Sequence, residues 1–293
     1  MLGNKHKQKS GRAMQLGIRL HDIASGELTD RLAIAKKQGF VCGHLALTKV
    51  LAKYPGDKAL TPGLALYLKK LFAKFNIDVA VLGNYKNLAN PDLEQLAKIQ
   101  QSYYANIRFA AQLGAGVVGT ETGAPNTTYE EDTPEGRSEE ALGIFIQNLR
   151  PVVACAEKYG VIVAIEPVCR HIVYDSKRAL AVLRAIDSPN LQIIFDPVNL
   201  LGPHNIANRA EVIRTAIADL KDYIAVVHLK DFVISEDGQK LVSVACGKGK
   251  MDYTDILRFI KQEKPYIHVT LENTLPENAV ATREYIENIY AKL

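Results

Sequence analysis

Short β-rich runs alternate with stretches of helical periodicity along most of the chain. Each run is bounded by polar residues, and each helical stretch repeats apolar positions at three- and four-residue spacing. The predicted strands cover residues 15–20, 40–47, 78–82, 116–121, 161–166, 191–195, 225–229 and 267–272. The predicted helices cover residues 28–37, 62–74, 91–113, 138–159, 176–186, 207–220, 253–262 and 278–291.

Several of these helices have recognisable start and stop signals. Thr61 precedes Pro62, and Asn90 precedes Pro91, so each pair combines a capping side chain with a first-turn proline. Glycines at positions 39, 114 and 160 follow helical stretches, where a left-handed residue is favoured. These signals support the helix assignments and place their ends.

The regular alternation of strands and helices predicts the fold. It implies parallel strands joined by right-handed crossovers, and eight such units favour closure into a (β/α)8 TIM barrel. A doubly wound open sheet is the alternative, but no glycine-rich nucleotide loop follows the first run. No linker divides the chain, so we expect one barrel domain over residues 14–293, preceded by a basic, disordered head at residues 1–13.

The amino-acid composition does not change the expected fold. The formal net charge is +4, and much of it comes from the first twelve residues, so it gives weak support for a nucleic-acid partner. The head lacks the apolar stretch of a secretory signal, and no apolar run is long enough to span a membrane. We therefore expect a cytoplasmic protein.

Polar residues occupy inward positions that a barrel normally fills with aliphatic side chains. Because alternate residues of a strand face opposite sides, Val269 and Leu271 suit the helix layer and leave Glu272 pointing inward. The same alternation directs several further polar residues inward near the carboxyl ends of their runs, namely Arg19, His21, Glu121, Glu166, Asp196, His228 and Lys230. This end is the active face of such barrels.

Four of these residues end the fifth to eighth runs in succession. Alone, each has an ordinary structural explanation, such as an ion pair or a hydrogen-bonded imidazole. Together, three carboxylates and one imidazole repel one another unless a cation lies between them. We therefore predict one divalent metal ion bound by Glu166, Asp196, His228 and Glu272; this oxygen-rich set favours Mn²⁺, with Co²⁺, Mg²⁺ and Zn²⁺ as alternatives.

The chain resembles the sugar isomerases and epimerases of the xylose-isomerase-like barrel superfamily, which also contains metal-dependent apurinic endonucleases. The similar segments are residues 164–167 (AIEP), 195–199 (FDPVN), 227–231 (VHLKD), 271–273 (LEN) and the glycine-rich stretch 247–252 (GKGKMD). In this family the order Glu, Asp, His, Glu over the last four strands is the metal set. The resemblance covers the chain from Gln15 onward.

Two positions depart from the ketose 3-epimerases of this family. A histidine of those enzymes is replaced by Asn199, and an arginine that follows the strand-seven histidine is replaced by Ile234. Both family groups help to hold or polarise the sugar, so the resemblance does not extend to the exact ketose 3-epimerase reaction. The chain also lacks the additional histidines of the endonucleases and a basic patch interleaved with aromatics, which argues against DNA repair.

The resemblance implies proton transfer beside a carbonyl, through an enediolate, on a hydroxy-ketone or sugar. Glu166 and Glu272 are the expected catalytic carboxylates, and Lys230, His21, Arg19, Glu121 and Asn199 are the expected substrate contacts. A metal-dependent lyase or dehydratase acting on an oxidised sugar or cyclitol is an alternative, as is a barrel that binds sugar without turnover. The expected partner is a small sugar, without nucleic acid or membrane, and homo-oligomerisation is left open.

Overall fold

The computed structural model describes residues 13–51 and 56–293, so nearly all of the predicted basic head lies outside the described residues. Eight parallel strands close into a barrel in the order β1-β10-β7-β6-β5-β4-β3-β2. These strands are β1 Gln15–Arg19, β2 Cys42–Leu45, β3 Asp78–Gly83, β4 Val117–Glu121, β5 Val163–Glu166, β6 Leu191–Phe195, β7 Ile224–Leu229 and β10 His268–Leu271. The predicted (β/α)8 barrel is confirmed.

Helices surround the barrel and connect its strands. They are α1 Leu28–Lys37, α2 Leu47–Val50, α3 Pro62–Phe75, α4 Leu93–Leu113, α5 Glu139–Tyr159, α6 Ser176–Ile186, α7 Arg209–Leu220, α8 Thr254–Glu263 and α9 Ala279–Lys292. Short 3-10 turns occupy Asp57–Ala59, Glu135–Arg137 and Ile206–Asn208. None of the helices in the described ranges has both the length and the apolarity that a bilayer crossing requires.

Two apolar layers hold the barrel together. The larger layer joins the helices to the outward strand residues, including Val163, Ile165, Val269 and Leu271, as the alternation predicts. A smaller cluster fills the barrel interior and contains Cys42, Ala80, Val81, Val117, Ala164, Ile194 and Val226. Because this inner cluster is apolar, the polar inward residues collect at one end of the barrel.

The structure corrects three local predictions. The second strand covers Cys42–Leu45 rather than residues 40–47, and Leu47 begins α2. Helix α4 begins at Leu93, and its capping side chain is Asp92, which accepts hydrogen bonds from the N–H groups of Glu94 and Gln95. The predicted cap Asn90 lies before this helix and accepts a hydrogen bond from the Asp92 N–H instead.

The third correction is an antiparallel hairpin that the strand pattern did not predict. Strands β8 Asp231–Ile234 and β9 Leu241–Val244 follow β7 directly and pair with each other outside the barrel. The turn contains Asp237 and Gly238, with a positive φ of 71° at Gly238. An Asp-Gly pair between two β-rich segments is a hairpin signal, so the sequence did contain the information.

Candidate active site

Four polar residues meet at the carboxyl ends of the last four barrel strands. Glu166 ends β5 and His228 lies in β7, while Asp196 and Glu272 directly follow β6 and β10. All four side chains are buried. The structure therefore brings the predicted metal-binding set together.

His228 lies between the two glutamates. Its Nδ1 atom is 3.1 Å from Glu272 Oε1 and 3.4 Å from Glu166 Oε1. Burial alone would lower the pKa of His228, but the carboxylates of Glu272 and Glu166 raise it to about 9. Without a metal, this imidazole therefore carries a proton at neutral pH.

Asp196 is oriented by its own backbone. Its Oδ1 atom accepts hydrogen bonds from the N–H groups of Val198 at 2.8 Å and Asn199 at 3.1 Å. The other oxygen, Oδ2, lies 2.9 Å from Lys230 Nζ. The Asp-Pro-Val-Asn turn after β6 thus holds the carboxylate and leaves one oxygen facing the site.

Lys230 joins two of the acidic residues. Besides Asp196, its Nζ atom contacts Glu272 Oε2 at 3.4 Å. Burial alone would lower the pKa of Lys230, but the two carboxylates raise it, so the ammonium stays charged. Burial alone would raise the pKa of Glu272, but the charges of His228 and Lys230 lower it well below its usual range.

The donor set fits a divalent metal ion. Ligand atoms of Glu166, Asp196 and His228 all lie within 4.8 Å of one another, and so do those of His44, His228 and Glu272. Both ring nitrogens of His228 are buried without a hydrogen-bond partner. Such orphaned nitrogen beside carboxylate oxygens is a donor set that Mn²⁺, Co²⁺, Mg²⁺ or Zn²⁺ accepts.

A cavity of about 510 Å³ opens above these residues, and we call it the inner cavity. The five predicted substrate contacts, Arg19, His21, Glu121, Asn199 and Lys230, all line it. Asn199 Nδ2 donates a hydrogen bond to Glu166 Oε1 at 2.7 Å. Arg19 Nη1 lies 3.6 Å from Glu272 Oε2, and Arg19 Nε donates a hydrogen bond to Asp22 at 2.7 Å.

The remaining two predicted contacts are His21 and Glu121, and burial shifts the pKa of each towards its neutral form. Burial and the charge of Arg19 lower the pKa of His21 to about 4, so its ring is neutral. Burial raises the pKa of Glu121, whose Oε2 accepts a hydrogen bond from Tyr129 OH at 3.2 Å. The inner cavity therefore offers both charged and neutral polar groups to a ligand.

Several residues of the site were missed by the strand-end argument. Tyr85, two residues beyond β3, donates a hydrogen bond from its OH group to Glu166 Oε2 at 3.4 Å. His44 in β2 stacks on both Tyr85 and His228, with ring centroids 5.8 Å and 5.3 Å apart. Their signal was position, since His44 lies near the carboxyl end of β2 and Tyr85 lies just beyond β3, although neither lies in a motif of the resemblance.

Three loop residues, Glu131, Arg170 and His171, line one side of the inner cavity. His171 Nε2 lies 3.1 Å from Glu131 Oε1, and Arg170 Nε lies 2.7 Å from Glu131 Oε2. Hydrogen bonds from His171 and Arg170 lower the pKa of Glu131 to about 2. Glu131 belongs to the long loop after β4, to which the strand-end argument assigned no role.

The architecture is that of a TIM barrel with a buried polar centre at the carboxyl ends of its strands. The family model described as "Xylose isomerase-like TIM barrel" matches residues 32–289, and the chain belongs to this family. The resemblance based on the four-residue order is thereby confirmed. No curated protein matches the chain.

Solved structures with the same fold include several named proteins. The 3-keto-D-glucoside 4-epimerase YcjR from E. coli has a TM-score of 0.72 at 15% identity, covering 94% of this chain and 99% of that one. The IOLI protein with a bound zinc atom has a TM-score of 0.70 at 18% identity, covering 95% and 99%. The probable 3-DHS dehydratase AsbF from Bacillus anthracis has a TM-score of 0.67 at 14% identity, covering 95% and 98%. At these identities the likeness shows the fold.

Proposed function

We propose that the protein is a divalent-metal-dependent sugar isomerase or epimerase that moves a proton beside a carbonyl group. The observation that carries this proposal is the pair of buried carboxylates of Glu166 and Glu272, both within 3.4 Å of His228, below a polar cavity. They come from β5 and β10, which are separated around the barrel by β6 and β7. The family membership and the epimerase among the structural neighbours support the same chemistry.

Glu166, Asp196, His228 and Glu272 would hold the metal, with Mn²⁺ as the preferred ion. When bound, a divalent ion supplies positive charge that stabilises the enediolate of the substrate as negative charge develops. The zinc atom of the IOLI protein supports the divalent charge rather than a particular element.

The two glutamates transfer the proton. One carboxylate removes the proton from the carbon beside the carbonyl, and the other delivers a proton from the opposite face in an epimerisation. If only one of them acts, the product is an isomer. Asn199 holds Glu166 by its hydrogen bond, and Arg19 lies close enough to Glu272 to orient that carboxylate.

Lys230 and the rim residues bind the sugar. The Lys230 ammonium is buried and charged, so it stabilises a negative oxygen that approaches from the inner cavity. Arg19, His21, Glu121 and Asn199 offer hydrogen bonds to hydroxyl groups around the same cavity. A neutral His21 both donates and accepts a hydrogen bond, as a hydroxyl group does.

A dehydratase is the second candidate function. It shares the metal and the first proton transfer, and it requires an acid for the departing hydroxyl. Glu121 suits this role because burial raises its pKa and because it lines the cavity beside Glu166. The dehydratase among the structural neighbours supports this alternative. Analysis of products separates the two reactions.

The direct test is exchange of substrate C–H protons with deuterated water, followed by NMR across ketoses, aldoses and oxidised sugars. We expect exchange that disappears after chelation and returns with Mn²⁺ or Co²⁺. Metal binding without exchange on any sugar would contradict the proposal and favour a barrel that only binds sugar.

The base assignment is tested by Glu166→Gln. The amide keeps the shape but cannot accept the proton, so we expect exchange to fall by about 10²- to 10⁴-fold while sugar binding is retained. The matched control is Glu94→Gln at the start of α4, where the glutamate side chain is 81% exposed. Unchanged exchange in Glu166→Gln would show that another group is the base.

A further inference from the structure

A second cavity adjoins the inner one at the rim of the barrel, and we call it the outer cavity. Its volume is about 720 Å³, larger than that of the inner cavity. It lies between the loops after β4, β5 and β6 and the tip of the β8–β9 hairpin, with Arg137, Leu201, His204, Lys240 and Leu241 among its lining residues.

The two cavities share a side-chain pair in their linings. Arg170 and Glu131 line both cavities, and their Nε and Oε2 atoms are 2.7 Å apart. The Arg170 side chain is 53% exposed, so rotation of this side chain would join the two spaces without movement of a strand or helix. The hairpin also spans both, because Ser243 lines the inner cavity while Lys240 and Leu241 line the outer one.

Both guanidinium groups that line the outer cavity are paired with carboxylates, and Lys240 is the further cation of its lining. Arg170 is paired with Glu131, and Arg137 Nη2 is paired with Asp132 Oδ1 at 2.7 Å. A phosphate that binds either guanidinium group would lie next to the carboxylate paired with that group, and the two negative charges would repel each other. A sugar ring has no such conflict, since its hydroxyl groups both donate and accept hydrogen bonds.

Apolar side chains complete the recognition surface. Leu201 and Leu241 line the outer cavity together with the paired charges. A pyranose ring presents C–H groups on its faces and hydroxyl groups at its edge, so it suits a cavity with apolar walls and polar groups.

From these observations we propose that the substrate is a glycoside, with its reacting sugar in the inner cavity and a second sugar in the outer cavity beyond the Arg170–Glu131 pair. This inference rests on the proposed function for the identity of the inner ligand. The inference assigns the substrate to the glycosides, a class that the residues of the inner cavity alone do not identify.

The experiment compares binding of disaccharides and their monosaccharides to the full-length, Mn²⁺-loaded protein by calorimetry. The probes are lactulose and palatinose against D-fructose, cellobiose and maltose against D-glucose, and D-fructose 6-phosphate as the anionic competitor. We expect at least one disaccharide to bind tenfold or more tightly than its monosaccharide, and more tightly than the phosphate ester.

Two variants test where the second sugar binds. Lys240→Trp and Gln239→Trp add bulk at exposed positions that line the outer cavity and not the inner one. Each is expected to remove the tenfold preference for the disaccharide and to leave monosaccharide binding unchanged. Lys70→Trp, on an exposed position of α3 that lines neither cavity, is the matched control.

Three results would overturn the inference: no disaccharide preference, a preference that survives both hairpin variants, or tighter binding of the phosphate ester. Failure of the proposed function looks different. In that case the disaccharide preference and its loss in the variants persist, while no C–H exchange occurs with any of the sugars.

Discussion

Asn199 is the residue through which the proposed base is most directly held. Its amide donates to Glu166 Oε1 over 2.7 Å, while its backbone N–H donates to Asp196. The single side chain therefore connects the turn after β6 with the carboxylate at the end of β5. The sequence resemblance implies a histidine at this position in ketose 3-epimerases, and in this chain an amide side chain occupies it.

Asn199→Asp is expected to lower kcat/KM by about 10²-fold, because the new carboxylate cannot donate the hydrogen bond to Glu166 and places a like charge beside it. The carboxylate of the proposed base is then no longer held in position. Measurement of kcat/KM for the exchange reaction checks this.

Asn199→Ala is the companion variant, because it removes the hydrogen bond without adding a charge. We expect a smaller fall in kcat/KM than in Asn199→Asp, of about tenfold. An unchanged kcat/KM in Asn199→Asp would mean that this residue does not hold the base in position.

Because His228 is protonated at neutral pH without a metal, we predict that metal binding releases protons. In the metal-free protein its pKa is about 9, so it is protonated at pH 7, whereas a metal ligand must be neutral imidazole. Binding of Mn²⁺ should therefore release about one proton, and the apparent affinity should rise about tenfold per pH unit below pH 9. Calorimetry in two buffers of different ionisation enthalpy measures the number of protons.

His171→Gln is the control for this titration, because His171 lines the inner cavity but contacts Glu131 rather than the proposed ligands. It should release the same number of protons as the wild type. Binding without proton release in the wild type would exclude His228 as a ligand that loses a proton.

At the scale of elements, one carboxylate anchors the glycine-rich loop to the hairpin. Asp231 Oδ1 accepts hydrogen bonds from the N–H groups of Phe232 and Met251, and Oδ2 accepts from Gly247 and Gly249. All four distances lie between 2.8 and 3.0 Å. This buried residue follows Lys230, so it fixes the loop next to the site.

Asp231→Asn is expected to destabilise the protein by about 2–4 kcal/mol. The amide nitrogen cannot accept, so it faces N–H donors that lose their partner inside the protein. Urea unfolding followed by circular dichroism measures the change in the free energy of unfolding. Asp237→Asn at the exposed hairpin turn is the control, with an expected change within about 0.5 kcal/mol. Equal effects of both variants would contradict the anchoring role.

At the scale of the whole molecule, packing inside the barrel limits the size of the side chains that each strand can direct inward. A Cβ atom at Gly119 would lie 2.8 Å from both Ile194 Cδ1 and Val81 Cγ1, and 3.3 Å from Tyr85 OH. This glycine therefore lets the interior close directly beneath the active site. By contrast, a Cβ at Gly143 in helix α5 would meet nothing within 4 Å.

The pair of variants Gly119→Ala and Gly143→Ala separates packing from helix propensity. Gly119→Ala should destabilise by about 1–3 kcal/mol because the interior is overpacked. Gly143→Ala should stabilise by about 0.5–1 kcal/mol because alanine favours the helix. Thermal unfolding compares the two, and a stabilised Gly119→Ala would show that the interior has room for the extra methyl group.

The sequence alone determined the fold and the order of the central residues. Period-two alternation predicted which side of each strand meets the helices, and Val163, Ile165, Val269 and Leu271 pack there. The convergence of Glu166, Asp196, His228 and Glu272 followed because parallel strands end at one face, so any polar residue at a strand end reaches the same place.

Only the tertiary structure decided what these side chains contact. Tyr85 and His44 reach the site from early strands through packing that no local pattern encodes, and Lys230 contacts Asp196 rather than its chain neighbour Asp231. The outer cavity exists because loops after three strands and a hairpin meet at the rim. Local patterns specify elements through periodicity, whereas distances between side chains from distant elements depend on how barrel closure and packing place them.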